Sequence, residues 1–383
     1  MRLLRARLGE SLILARPGDR ALHVLNASAA ELWDCLEDVA DGAQQAALQR
    51  RLAEFRQLPA QAAAEIATNL LSQWRHAGLI GAVAEKPSPS LHDDWLIQAN
   101  PAARATPHCR VVEMAEARIA LRIDDATLRQ AIEPLLPVAE GPEGPCAHAL
   151  RLTGGRENWT LQVEGRADAA ATGTTADEAI VGVINALVDL ACRLEDRLLL
   201  VHGAGLVSPE GCGLLLIAPG GSGKTTLAAA LNAEGWRLLS DDVVPVGMDG
   251  RLLALRGPLC LKAGAWPILS SRRPDVSRAP TILRFGERVR MVAPAGAGPF
   301  GLVTPGLMLF PRYQPGVATA TMRLAPEEAL RRIVESDAVI RNLTQAKLDA
   351  LARWAGGAPA YALDYPDLDS GLEAARRLAS GAQ

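Results

Sequence analysis

Residues Ala218 to Thr225, APGGSGKT, place three glycines, a lysine and a hydroxyl at a spacing that suits phosphate. Gly220, Gly221 and Gly223, with Ser222 among them, let the backbone curl so that successive N–H groups point at phosphate oxygens. Lys224 supplies positive charge for the β and γ phosphates, and the Thr225 hydroxyl supplies a ligand for Mg2+. Thr226 leads on into a helix whose N-terminus adds its own partial positive charge. A second chemical signal follows in WRLLSDDVVPV, an apolar strand that ends in Asp241-Asp242. One carboxylate of such a pair can hold Mg2+ while its neighbour accepts a proton from an incoming hydroxyl. Ser-Asp-Asp is also ordinary turn and cap chemistry.

These residues need particular elements around them. GLLLIA is an apolar strand running into the loop, and TTLAAALNAEG is the helix leaving it, which is the context a phosphate loop requires. RLLLVHGAGLV is a further strand, separated from GLLLIA by the turn SPEG. Upstream, ARIALRI predicts a strand, ATLRQAIEPLL a helix, and AHALRL with WTLQVEG a hairpin around TGGREN. DEAIVGVINALVDLACRLEDR predicts a helix with Ile180, Ile184, Leu187 and Ala191 on its apolar face.

In order, VHGAGLV, APGGSGKTTL, LLSDDVVPV, LCLKAG (Leu259 to Gly264) and LFPRYQPG (Leu309 to Gly316) resemble the HPr serine kinase/phosphorylase group, above all its HPr-kinase-related branch. The resemblance spans roughly residues 108–383. It implies an α/β phosphate-loop kinase domain of the HPr kinase and phosphoenolpyruvate-carboxykinase-like type, with antiparallel strands mixed into the sheet. It also implies ATP- and Mg2+-dependent phosphorylation of a hydroxyl on a protein or peptide. On that pattern Asp241 is the general base and Asp242 the Mg2+ partner, with exchange of the two roles left open. His202 then lies near the phosphates, and Lys262 and Arg312 reach the nucleotide or the phosphoryl group. Taken alone, His202 is equally a structural histidine and the two cations equally surface charges. One departure stands out: where the bifunctional enzymes resemble one another in Glu-x-Arg-Gly, this chain has Ala254-Leu-Arg256-Gly257. The missing acid points to transfer in the kinase direction alone.

The N-terminal segment, residues 1–81, is organised differently. SLILARP and ALHVLN predict strands joined by PGDR. Three helical patterns follow: Ala29, Leu32, Trp33, Leu36 and Val39; then Leu48, Leu52 and Phe55; then Ile66, Leu70, Trp74 and Ala77. Pro59 separates the last two, and Gly78 ends the third. A hairpin followed by three helices is a small α+β, winged-helix-like domain. With LNASAAELW (Leu25 to Trp33) and WRHAGLI (Trp74 to Ile80), it resembles the PqqD-type peptide chaperone, the leader-recognition element of enzymes that modify ribosomal peptides. The resemblance implies a leader peptide held by residues 1–81. An exposed strand edge can take an extended peptide as an added strand. The expected contacts are Leu12 to Ala15, Leu22 to Leu25 and the outer face of Glu65 to His76. Arg50, Arg51 and Arg56 are interspersed with Glu37, Asp38, Asp41 and Glu54, a poor surface for DNA. Glu85 to Pro107 predicts a linker, residues 82–107, in which LHDDW (His92, Asp93, Asp94) lacks partner ligands at metal spacing.

Composition narrows the remaining choices. Net charge is −3, so no basic field is available for nucleic acid. The six cysteines have neither zinc spacing nor the look of a disulfide framework. MRLLRARLGESL is broken by charge before a signal sequence can form, and no apolar run approaches the roughly 20 residues of a membrane span. The expectation is a cytoplasmic kinase that phosphorylates a side-chain hydroxyl, serine foremost, of a ribosomally made precursor peptide; the family pattern adds self-assembly. Two other readings stay open: a regulatory serine kinase acting on a folded carrier protein, and a nucleotide-gated peptide chaperone without catalysis.

Overall fold

In the computed structural model, residues 3–17, 21–36, 39–80, 98–100, 109–137, 145–166, 169–296 and 301–381 are described, and the side chains of Asp41, Phe55, Arg56 and Ala169 are set aside. Most of the 82–107 linker, with His92, Asp93 and Asp94, lies outside them, as do Gly18, Asp19, Arg20, Glu37 and Asp38. Backbone contacts divide the chain into two units.

The first unit is a small α+β assembly. Strands β1 (Leu4–Leu8), β2 (Ser11–Ala15) and β3 (Leu22–Leu25) form an antiparallel sheet in that order. Helices α1 (Ala27–Asp34), α2 (Gln44–Arg56) and α3 (Ala60–His76) follow. Helix α1 starts at Asn26, whose side chain accepts from the Ala29 amide at 2.9 Å. Trp33 and Trp74 meet edge to face, 5.1 Å between ring centres, over a core that includes Leu14, Leu48, Leu52 and Leu71.

Two of the sequence expectations change here. The fully buried residues of α3 are Ala63, Ala67, Leu71 and Trp74, with Leu70 half-buried against the same core, so of the expected face Ile66 is the residue left out. The small alanines allow the helix to approach its neighbours closely, and Ile66 is left 38% exposed. The strand Leu12 to Ala15 is the central one and is buried throughout, so it has no edge to offer a peptide.

The second unit is mixed α/β. Strands β4 (Arg110–Met114), β5 (Ala117–Ile123), β6 (His148–Gly155), β7 (Asn158–Val163) and β8 (Ala169–Gly173) form one sheet in sequence order. Helix α4 (Ala126–Ile132) and the long α5 (Ala176–Arg193) pack on it. Helix α5 begins with a complete capping box, Thr175 and Glu178 each bonding the other's backbone. Its expected apolar face is buried, with Ile180, Ile184, Leu187 and Ala191 all in the core.

The sheet that carries the phosphate loop has seven strands. They are β9 (Leu199–Val207), β10 (Gly213–Ile217), β11 (Arg237–Ser240), β12 (Val243–Val246), β16 (Pro305–Tyr313), β17 (Ala320–Leu324) and β18 (Ala360–Tyr365). Their order is β11-β9-β10-β16-β18-β17, with β12 also on β9. β10, β16 and β18 run parallel, whereas β9, β11, β12 and β17 add antiparallel pairs. Helices α6 (Lys224–Ala233) and α11 (Leu368–Ser380) cover this sheet. A three-stranded sheet, β13 (Leu259–Lys262), β15 (Glu287–Val292) and β14 (Thr281–Arg284), completes the unit together with the short helices α7 (Trp266–Leu269) and α8 (Pro274–Arg278).

Helices α9 (Pro326–Glu335) and α10 (Gln345–Ala355) come late in the chain. Even so, Pro326–Arg331 and Arg341–Gly356 cluster with β1 to α3 in the first unit. The side-chain amide of Gln345 closes the β1 edge as a strand would: the Arg5 N–H donates to its Oε1 at 3.1 Å, and its Nε2 donates to the Arg5 carbonyl at 2.5 Å. The remaining edge strand of this sheet is β3. Among the described residues no helix is long and apolar enough to cross a membrane.

Candidate functional site

Strand β10 delivers the chain into the loop and α6 takes it away, so Gly220 to Thr225 sit at the C-terminal end of a parallel pair of strands. Gly221 and Gly223 have φ of 82° and 91°, in the left-handed region that only glycine enters freely. At Gly223 the fit is tight as well, because a Cβ there would lie 2.5 Å from the Tyr365 hydroxyl. Tyr365 is itself buried at the end of β18, and burial, with Tyr313 beside it, pushes its hydroxyl up to about 12. The Tyr313 N–H donates to the Ser222 carbonyl at 3.2 Å, tying the end of β16 to the loop. The Ser222 hydroxyl is enclosed without a partner among the described residues.

Lys224 is buried, and its ammonium donates back to the loop carbonyls of Ala218 and Pro219, the second at 3.1 Å. Burial lowers its pKa, opposed by the charges of Asp241 and Asp242. Thr225 and Thr226 are half-buried in the first turn of α6. The Thr225 hydroxyl donates to Asp241 Oδ1 at 3.1 Å, which joins the loop to the double aspartate.

The double aspartate lies at the end of β11, as expected, and a further strand, β12, begins directly after it. β11 and β12 pair successively along the same side of β9, and Asp241 and Asp242 occupy the break between them. Asp242 makes the break by adopting φ 74°, an uncommon conformation for a residue with a Cβ. The Gly203 N–H donates to the Asp242 carbonyl, and the Ser240 hydroxyl donates to the Val243 carbonyl across the kink.

The two carboxylates have different surroundings. Asp241 accepts from Thr225 and from the Cys260 N–H at 3.3 Å. Burial, and then the adjacent Asp242 charge, push its carboxyl up to about 7. Asp242 accepts from Arg284 Nη2 at 2.7 Å and lies 3.6 Å from His202 Nδ1. The side chains brought together are therefore Lys224, Thr225, Asp241, Asp242, His202 and Arg284.

Lys262 and Arg312 are not in that group. Lys262 is 63% exposed at the end of β13 and pairs with Glu287 at 2.6 Å. Arg312, 62% exposed, makes a bidentate pair with Asp364 at 2.6 and 2.7 Å. That guanidinium holds the Asp364 carboxyl below its usual range. Arg312 is adjacent in sequence to Tyr313, whose N–H bonds the Ser222 carbonyl of the loop.

Arg284, Tyr313 and Tyr365 are the residues that sequence reasoning missed. Arg284 reaches Asp242 across 42 positions, a separation at which no local spacing pattern exists. In the departing stretch, Arg256 takes φ 55° and its N–H donates to the Leu239 carbonyl at 2.8 Å, while Gly257 and Pro258 line a cavity of about 320 Å3 beside the aspartates. Among the described residues no three His, Cys, Asp or Glu side chains gather into a metal cage. Thr225 with Asp241 and Asp242 offers hard oxygen donors, and these suit a Mg2+ that takes its other ligands from phosphate and water. No known family model matches the chain, and no curated protein is similar to it.

Proposed function

We propose that this chain is an ATP- and Mg2+-dependent peptide kinase of the HPr-kinase-related type, with residues 1–81 holding the leader of its precursor-peptide substrate. The observation that carries the proposal is the contact between Thr225 and Asp241. It joins a phosphate-loop hydroxyl to a carboxylate whose pKa is pushed up to about 7, the range in which a general base works best. In this reading Lys224 and the loop N–H groups bind the triphosphate, and Thr225 with a carboxylate of the pair holds Mg2+. The ion supplies neutralisation of phosphate charge. Asp241 takes the proton of the acceptor hydroxyl, while Arg284 and His202 fix Asp242. Lys262 and Arg312 keep a nucleotide-contacting role only through exchange of their present carboxylate partners.

Leader capture is supported by what the first unit leaves at its surface. Gln345 occupies the β1 edge, β2 is central, and β3 is the other edge of the sheet. Ile66 on α3 is an exposed apolar side chain, and Leu70, one turn on, is half-buried. A leader that adds to β3 can place its apolar residues against them. Tethering raises the effective concentration of the rest of the peptide to about millimolar, which frees the kinase site from demanding a long recognition sequence.

The test pairs two variants. Ile66→Glu is expected to weaken phosphorylation of a leader-bearing peptide by about tenfold, with the leaderless peptide unaffected. Asp241→Asn is expected to slow transfer to both by about 10³-fold while leaving leader binding intact. Equal leader dependence in wild type and Ile66→Glu would remove the leader surface. Full activity of Asp241→Asn would favour a nucleotide-gated binding protein.

A further inference from the structure

The cavity of about 320 Å3 is continuous with the double aspartate, and its walls are largely apolar. Ile184 and Val188 come from α5, Leu200 from β9, and Leu255 and Met291 close the far side. The charged side chains lining it are Asp189, Asp241, Asp242 and Arg284. Asp242 holds the Arg284 guanidinium at 2.7 Å, and Asp189 is paired with Arg193 at 2.9 Å, so each of these cations already has a carboxylate partner. An acidic residue brought here would have to compete with those carboxylates for a cation. An apolar or basic one would not.

The apolar surface continues outward at the β14–β15 turn. Phe285, at φ 49°, and Gly286, at φ 80°, make this turn, with Arg284 paired to Glu287 across it. The Phe285 ring is 80% exposed, and its centre lies 5.3 Å from the Arg284 guanidinium carbon. Its neighbour Leu283 is also exposed. Isolated apolar residues at a surface are common, and Phe285 is not part of the cavity wall itself, but its exposed ring lies beside Arg284, which is.

Position decides what the cavity is for. Asp241 is shared: one oxygen accepts from Thr225 of the phosphate loop, and the same carboxylate lines the cavity. A hydroxyl group entering from the cavity therefore reaches the same carboxylate that the loop hydroxyl bonds. The volume is far larger than a serine side chain, so a bulky neighbour can enter as well.

We propose that this cavity and its Phe285 rim are the acceptor site, and that the site takes a peptide segment whose reacting hydroxyl is flanked by large apolar residues and by no acidic one. The proposal rests on the kinase reading above. In the transfer, the acceptor oxygen forms the new bond to the terminal phosphorus of a nucleoside triphosphate. The bond from that phosphorus to the bridging oxygen breaks, its electron pair stays on the diphosphate, and the hydroxyl proton passes to the Asp241 carboxylate.

The experiment gives the full-length protein ATP, Mg2+ and short peptides, each with one serine flanked by Leu, Phe, Ala, Lys or Asp. Leu and Phe flanks are expected to exceed Asp flanks by about 10²-fold in kcat/KM. Phe285→Ala should raise KM for the Leu- and Phe-flanked peptides by about tenfold and leave kcat in place. A flat ranking, or a preference for Asp flanks, would overturn the acceptor site while the kinase reading stands. A parallel peptide carrying a benzophenone beside the serine is expected to crosslink to the Leu283–Met291 segment or to α5. A crosslink there without transfer from ATP keeps the peptide site and removes the kinase reading. A crosslink elsewhere, or none, overturns the site whether or not phosphate moves.

Discussion

Two turns in one sheet solve the same geometric problem with different residues. The phosphate loop after β10 puts Gly221 and Gly223 in the left-handed region, whereas the kink between β11 and β12 puts Asp242 there. Glycine makes the first turn without strain. The second turn needs a carboxylate, which glycine cannot supply, so the backbone carries the strain. Strain of this kind survives where the surroundings fix it, and here Arg284, the Gly203 N–H and the Ser240 hydroxyl do so. In the proposed function the loop receives charge and the kink presents it.

The largest expected effect separates the two aspartates of the kink. Asp241→Asn should slow phosphate transfer by about 10³-fold with nucleotide still bound, as loss of a general base does. Single-turnover measurements read the two steps separately; equal losses in binding and transfer would make Asp241 a ligand first. Next comes the loop. Gly223→Ala pushes a Cβ against Tyr365 and forces a left-handed alanine, so transfer should fall by roughly 10²-fold and stability by about 1–3 kcal/mol. Gly220→Ala has open space around it and should leave the melting temperature unchanged.

A smaller effect comes from pH. Because Asp241 must be ionised to act, transfer should rise about tenfold per unit up to about pH 7 and level off above it. The same shift works against folding. Its carboxyl is raised above the usual range, so the stability of the protonated form is full at low pH and is lost between the ordinary carboxylate value of 3.8 and about 7. Asp241→Asn should therefore raise the melting temperature more at pH 8 than at pH 5, by about 3 °C or more. The smallest effect isolates the kink. Asp242→Gly should be more stable than Asp242→Ala by about 1 kcal/mol in urea denaturation, the reverse of the usual order. Equal stability would mean that the left-handed turn costs nothing there.

What could be read from the chain follows the same division. The loop was legible because its glycines, lysine and threonine are consecutive and sit between a strand and a helix. The capped helix α5 and the β9–β10 hairpin were legible for similarly local reasons. The kink was not: the acids read correctly as a strand end, but only pairing along β9 reveals that a second strand begins directly after them. Arg284 and Tyr365 reach the site through sheet order, which local periodicity does not encode. On α3 the expected Leu70 and Trp74 do pack on the core, but Ile66 does not, because Ala63 and Ala67 make the close contact. The closing of the β1 edge by Gln345 joins residues 340 positions apart and leaves no trace in either segment.

The most direct test of the central claim is a mass measurement. The protein is incubated with ATP, Mg2+ and the small peptides encoded beside its own gene, and each peptide is weighed. A kinase of this kind adds about 80 Da, one phosphate, to one of them, and the gain disappears with Asp241→Asn. Unchanged masses for every peptide, with ATP demonstrably bound at the loop, would contradict the account.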